Sequence, residues 1–176
     1  MTLLFLLGMA EFVRNALVLS LLPLYGQTIG YSVGMIGTAI SLQYLLDNAF
    51  RIPAGWLNDR RGGKWIITGG IIVSGCGLYL MYAHWNFNWF LIGAGLYGFG
   101  FAPVWPVVVA GVSARMPAAR MSEALSRVFT CWLIGGGLGP VMINFIIGRS
   151  FGLAFKILLS GLLITVLIAV CGNFPP

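Results

Sequence analysis

Two polar stripes interrupt otherwise apolar stretches of this 176-residue sequence. The first holds Glu11, Arg14 and Asn15 at i, i+3, i+4 spacing; the second holds Gln43, Asp47 and Arg51 at i, i+4, i+8, with Asn48 beside them. On a helix each set shares one face. Carboxylates and arginines in apolar surroundings do one of two things. They take up and release protons and hydrogen-bond hydroxyl-rich ligands, or they neutralise each other, Glu11 with Arg14 and Asp47 with Arg51. The two readings are compatible, because a pair that parts on protonation is itself a mechanism. Trp105 and Trp132 add flat aromatic faces that either stack on a sugar ring or pack in a core.

The elements that carry these residues follow from composition. Hydrophobic residues make up 59% of the chain and charged ones 8%, with ten Lys+Arg against four Asp+Glu. Soluble domains carry about 25% charged residues. The mean hydropathy of +0.95 belongs to a membrane protein. A span needs about 20 apolar residues, so the length accommodates six with short connections. They are expected at about 3–24, 33–56, 65–83, 89–112, 124–147 and 153–172, in an all-α membrane fold. Glu11 and Asp47 then lie at similar depth, each roughly 12 Å from the same edge, and the stripes face one another across a shared cavity. Spans 3 and 6, the least polar, are expected at the periphery.

Charge placement sets the orientation. The 2–3 and 4–5 connections hold Arg60, Arg61, Lys64, Arg115, Arg120 and Arg127, against Arg149 and Lys156 at the 5–6 turn. The positive-inside rule places the first group, and with it both termini, in the cytoplasm. The net charge of +6 therefore addresses the membrane and not a nucleic acid. Cys76, Cys131 and Cys171 stand alone in apolar runs, which predicts buried free thiols and no disulfide or metal site. His84 falls in an outer turn and is expected to be exposed without a role. No H-E-x-x-H or G-x-S-x-G pattern is present, which argues against an intramembrane enzyme.

The most specific segment is Gly55-Trp56-Leu57-Asn58-Asp59-Arg60-Arg61-Gly62-Gly63-Lys64. Its glycines permit close packing and a tight turn, and Asp59 is suited to cap a neighbouring helix or pair with an arginine. Gly55, Leu57, Asp59, Arg60, Gly62 and Lys64 resemble motif A of the major facilitator superfamily, a loop that latches the two halves of those transporters. The resemblance implies one half of a twelve-helix fold, built as a 3+3 inverted repeat. The second half is expected elsewhere in a full-length protein; a truncated fragment or partner subunit without transport of its own is the alternative. In the fifth expected span, Gly135, Gly139 and Pro140 resemble the core of motif C of antiporters, where small residues allow close packing and the proline bends the helix. The glycine pair that customarily follows is replaced by Ile143 and Asn144. A plain packing motif explains the same residues. Ala94 stands where drug antiporters of the superfamily carry arginine.

Several short features together are similar to the flippases of the lipoteichoic acid glycolipid anchor: Glu11-Phe12-Val13-Arg14, Asp47, Ala102-Pro103-Val104-Trp105 and Trp132. That resemblance implies a multi-pass transporter of a bacterial plasma membrane, driven by a proton gradient without a cofactor or metal, with a glycolipid or other small-molecule substrate. Glu11, Arg14 and Asp47 would couple protons. Asn15, Gln43, Asn48, Arg51, Trp105 and Trp132 would line the substrate cavity. A proton-coupled exporter of drugs or sugars on the same fold is the second reading.

Overall fold

The computed structural model describes residues 1–83 and 85–172; His84 and residues 173–176 lie outside the described residues. The chain forms α1 Thr2–Ala16, α2 Leu22–Thr28, α3 Val33–Arg61, α4 Gly63–Ala83, α5 Phe87–Phe101, α6 Val104–Ser113, α7 Met121–Ile147 and α8 Phe151–Cys171. Local chemistry explains the boundaries. The side chains of Ser32, Asn86 and Ser150 accept hydrogen bonds from the backbone N–H of Met35, Trp89 and Leu153 and so cap α3, α5 and α8. Gly62, at φ 79°, ends α3 in a conformation that favours glycine. Pro103 separates α5 from α6, which together make one helical stretch.

The first rod contains a feature absent from the sequence expectation. Between α1 and α2, Leu17–Leu21 forms a π-helical turn. Pro23 follows at once and cannot donate to the carbonyl one turn behind it, which disturbs the α ladder there. The rod runs on to Thr28, past the expected end near residue 24. The 2–3 connection is also tighter than expected: residues 58–61 are still helical, and Gly62 alone makes the turn.

Among the described residues, five helical stretches are long and apolar enough to cross a membrane: Thr2–Thr28, Gly63–Ala83, Phe87–Ser113, Ala118–Ile147 and Phe151–Cys171. At 29 residues α3 is long enough, about 43 Å, but its polar stripe and charged end keep it out of that group. α1 packs along α7 and α8, and α5 packs along α3 and α4. The core joins Leu7, Leu17 and Leu21 of the first rod to Phe90, Tyr97, Phe155 and Leu158. At one end the Tyr25 hydroxyl donates to the Tyr82 carbonyl at 2.9 Å and ties the first rod to α4. α3 and α7 expose the most: Leu133, Val141 and Phe145 of α7 point away from the bundle, as does the small and polar face of α3 at Gly34, Thr38 and Ser41.

The thiols are free, but burial does not follow the expectation. Cys76 and Cys171 are exposed and Cys131 is half-buried. An apolar run identifies a residue as membrane-embedded and is silent on whether it faces lipid or protein.

Candidate functional site

The two polar stripes meet inside the bundle. Arg14 on α1 donates from Nη1 to Oδ2 of Asp47 on α3 at 2.9 Å. Its Nη2 lies 2.9 Å from Oε2 of Glu11. Arg51 closes the other side of Asp47 with a fork: Nε to Oδ1 at 3.2 Å and Nη2 to Oδ2 at 3.0 Å. Asn15 donates to Oε2 of Glu11 at 3.1 Å and to the Glu11 carbonyl at 3.0 Å. Two carboxylates and two guanidinium groups therefore form one neutral chain, Glu11–Arg14–Asp47–Arg51.

Burial makes this chain energetically tight. Glu11 is 3% exposed, Arg14 7% and Asp47 1%. Of the four, the Arg51 side chain, 32% exposed, is the one that opens to the surroundings. An ionised group in apolar surroundings persists because partners replace its water, and removing one partner strands the other. The sequence pairs Glu11 with Arg14 and Asp47 with Arg51 within single helices. The structure adds the bond between helices, from Arg14 to Asp47. The stripes touch directly, without the open space expected between them, because 2.9 Å ion contacts leave no room for a ligand.

The remaining stripe residues divide. Gln43 is buried one turn before Asp47, and its carboxamide has no partner among the described residues. Asn48 turns outward and donates to the Tyr44 carbonyl at 2.8 Å, away from the ion chain.

Packing of α1 fixes this geometry. Gly135 and Gly139 of α7 are buried against the backbone of α1: a Cβ at Gly135 would strike the Gly8 carbonyl, and one at Gly139 the Phe12 carbonyl. Gly136 lies beside Asn15, so the glycine run borders the segment that bears Glu11 and Arg14. Pro140 sits inside a helix that stays continuous. On the other side, a Cβ at Gly98 of α5 would strike the Gln43 carbonyl, so α3 and α5 cross in backbone contact.

Trp105 of α6 and Trp132 of α7 come together, ring centroids 6.2 Å apart and nearly perpendicular. Phe129, one turn before Trp132, completes the group at 5.5 Å from Trp105 and 6.4 Å from Trp132. Phe129 is 47% exposed, so the cluster has an open side. Sequence reasoning missed it; the i, i+3 spacing to Trp132 was the available signal. An open groove of about 1320 Å³ lies between α1 and α7, with Phe5, Met9 and Leu138 among its apolar walls and Arg127 and Thr130 as polar lining.

At the connection from α3 to α4, Arg60 does not pair with Asp59. Its guanidinium lies 3.8 Å from the Trp56 ring centroid, while Asp59 accepts from Asn58 at 3.4 Å. Gly63 is buried against Val107 and Gly55 lies near Pro106, so this segment rests on α6. Leu57 is half-buried, and so is Lys64, whose carbonyl accepts from Thr68 at 2.7 Å.

Comparison with known proteins gives a consistent set of relatives. A family profile described as Major Facilitator Superfamily matches residues 3–174. The chain is 29% identical over 144 residues to the "Proton-coupled antiporter flippase LtaA" of Staphylococcus saprophyticus, covering 81% of this chain and 35% of that protein. Proteins of the same name from Staphylococcus epidermidis and Staphylococcus aureus are 24% identical over 149 residues and 23% identical over 151 residues. These matches cover 81% and 82% of this chain and 35% and 36% of the relatives. The chain thus matches about a third of the length of these curated relatives.

Proposed function

This chain belongs to the major facilitator superfamily, and from that premise we propose that it is the N-terminal half of a proton-coupled antiporter that moves a glycolipid across a bacterial plasma membrane. It is a multi-pass membrane protein of a transporter family. In this reading α3 is a span as well, second in chain order and completing a set of six, its polar stripe shielded by α1. The six spans divide 3+3 as an inverted repeat, with the basic α3–α4 and α6–α7 connections in the cytoplasm. The pairing of close contacts supports the repeat. α7 meets α1 at glycines, and α5 meets α3 at a glycine, as an exchange of first with fourth and second with fifth spans requires.

The observation that carries the reading is Arg14 held between Glu11 and Asp47 from two helices. A proton arriving on Glu11 cancels its ion pair with Arg14, and one arriving on Asp47 cancels its pairs with both Arg14 and Arg51, so either frees one arm of the Arg14 guanidinium. Protonation is thereby converted into a change in how α1 and α3 hold each other. Glycolipid handling draws on three surfaces suited to an amphiphile. Released carboxylate and arginine groups hydrogen-bond sugar hydroxyls. The half-open Trp105–Phe129–Trp132 cluster offers faces for a sugar ring, and the groove beside α1 offers apolar walls for acyl chains. In the α3–α4 segment, Gly55, Leu57, Asp59, Arg60, Gly62 and Lys64 act as the latch toward the other half.

The deciding experiment is proton-driven glycolipid translocation in proteoliposomes with the full-length protein. Glu11→Gln and Asp47→Asn should each abolish coupling to the pH gradient. Unimpaired translocation by both variants would falsify the proposal. Efflux of a drug or free sugar without glycolipid movement would move the assignment to another substrate of the same fold.

A further inference from the structure

Beside the ion chain, four buried polar atoms have no partner among the described residues: Nε2 and Oε1 of Gln43, the hydroxyl of Tyr97 and Nε of Arg14. Gln43 is 1% exposed and Tyr97 0%. The elements that carry them meet: α3 bonds α1 through Asp47 and Arg14 and packs on α5. Gln43 precedes Asp47 by one turn on the buried face of α3. The contact of Gly98 with the Gln43 backbone sets its neighbour Tyr97 at the same crossing. The Tyr97 carbonyl accepts from Ser74 Oγ at 3.0 Å, which pins this part of α5 to α4. Arg14, Glu11, Asp47 and Tyr44 are the ionisable groups within electrostatic reach of the Tyr97 hydroxyl.

A buried polar group left unsatisfied forfeits the hydrogen bonds it made to water, and native structures rarely leave several together. The chemistry of these atoms selects what satisfies them. The Gln43 amide and Arg14 Nε only donate, Gln43 Oε1 only accepts, and the Tyr97 hydroxyl does both. A cation is disfavoured by Arg14, an anion by Glu11 and Asp47. The matching ligand is small, neutral, and both donor and acceptor, which describes water; a buried water typically takes two to four polar partners.

We propose that Gln43, Tyr97 and Arg14 Nε enclose an internal water site where α1, α3 and α5 cross, and that its water is a further hydrogen-bond partner of the Arg14 guanidinium. On the proton-coupling reading above, this water keeps the guanidinium partnered when a protonated carboxylate lets it go. Tyr97 and Gln43 are thereby positioning residues for Arg14.

The test is X-ray hydroxyl-radical footprinting of the full-length protein, in which water held against a buried ring generates the radical that oxidises it. Phe90, equally buried at 0%, is the internal control. Tyr97 should be oxidised several-fold faster than Phe90, and Gln43→Leu should return it to the Phe90 level. Oxidation of Tyr97 at the Phe90 rate in the native protein overturns the site. Thermal unfolding gives a second, independent sign. With water bound, Tyr97→Phe removes a satisfied hydroxyl and lowers Tm. With a dry site it removes an orphan and raises Tm, which also overturns the proposal. Neither readout involves transport, so each stands or falls separately from the Glu11 and Asp47 experiments.

Discussion

Arg14 and Asp47 stand 33 positions apart in the sequence and 2.9 Å apart in space, and their hydrogen bond joins the two polar stripes. The bond also makes the arginines unequal. Arg14 serves two carboxylates from a buried position, whereas Arg51 serves one and is 32% exposed. Arg14→Gln should therefore cost about 3–5 kcal/mol, the range for breaking a buried pair. Arg51→Gln should cost less, because the buried Asp47 keeps its bond to Arg14. Equal shifts in denaturant or thermal unfolding of the two variants would contradict this ranking.

The glycines of α7 make a second contrast. Gly139→Ala places a methyl against the Phe12 carbonyl, and backbone cannot move aside as a side chain can. The expected loss is about 1–3 kcal/mol, typical of overpacking. Gly137, in the same run, has nothing within 4 Å of the point where an alanine methyl would stand. There alanine should be neutral or stabilising by up to about 1 kcal/mol through helix propensity. Melting temperatures of the two single variants decide it.

Phe129 is the member of the aromatic cluster that can be removed with least damage to the fold, since it is 47% exposed. Phe129→Ala should weaken binding of a glycolipid headgroup by roughly 2- to 10-fold, the equivalent of the 0.5–1.5 kcal/mol carried by an aromatic contact. Melting temperature should stay within about 2 °C of the parent. Titration of the full-length protein with headgroup analogue, read by calorimetry, measures the first effect.

Gly62 adopts φ 79° and ψ 141°, a region in which a side chain is strained. Gly62→Ala should cost about 1–3 kcal/mol and reduce translocation, because the turn aims α4 and carries the segment expected to latch. An unchanged melting temperature together with unchanged transport would remove any special role for this turn.

Particular residues show how far the sequence reaches. Helix existence is legible, because apolar stretches punctuated by Ser32, Gly62, Asn86 and Ser150 leave little choice. The membership of the ion chain is legible too, since Glu11, Arg14, Asp47 and Arg51 are conspicuous in apolar surroundings. Their connectivity is not: Arg14 has a carboxylate one turn away, and only packing of α1 on α3 brings Asp47 to its other arm. Phe129 and Tyr97 are hidden for another reason. Aromatic residues in a span look alike whether they face lipid, core or a site. The exposed Cys76 and Cys171 are the same ambiguity seen from outside.

The π turn at Leu17–Leu21 separates the first rod into a part bearing Glu11 and Arg14 and a part tied to Tyr82 through Tyr25. A π turn spans its hydrogen bond with one more residue than an α turn. The two anchors are therefore joined through a turn wound with one residue more than an α turn. The charged segment takes its phase from Asp47 and the α7 glycines, and the far segment takes its phase from α4. The π turn is where these two phases are reconciled, so a rod wound as unbroken α-helix would present one of its two anchored faces about one residue out of register.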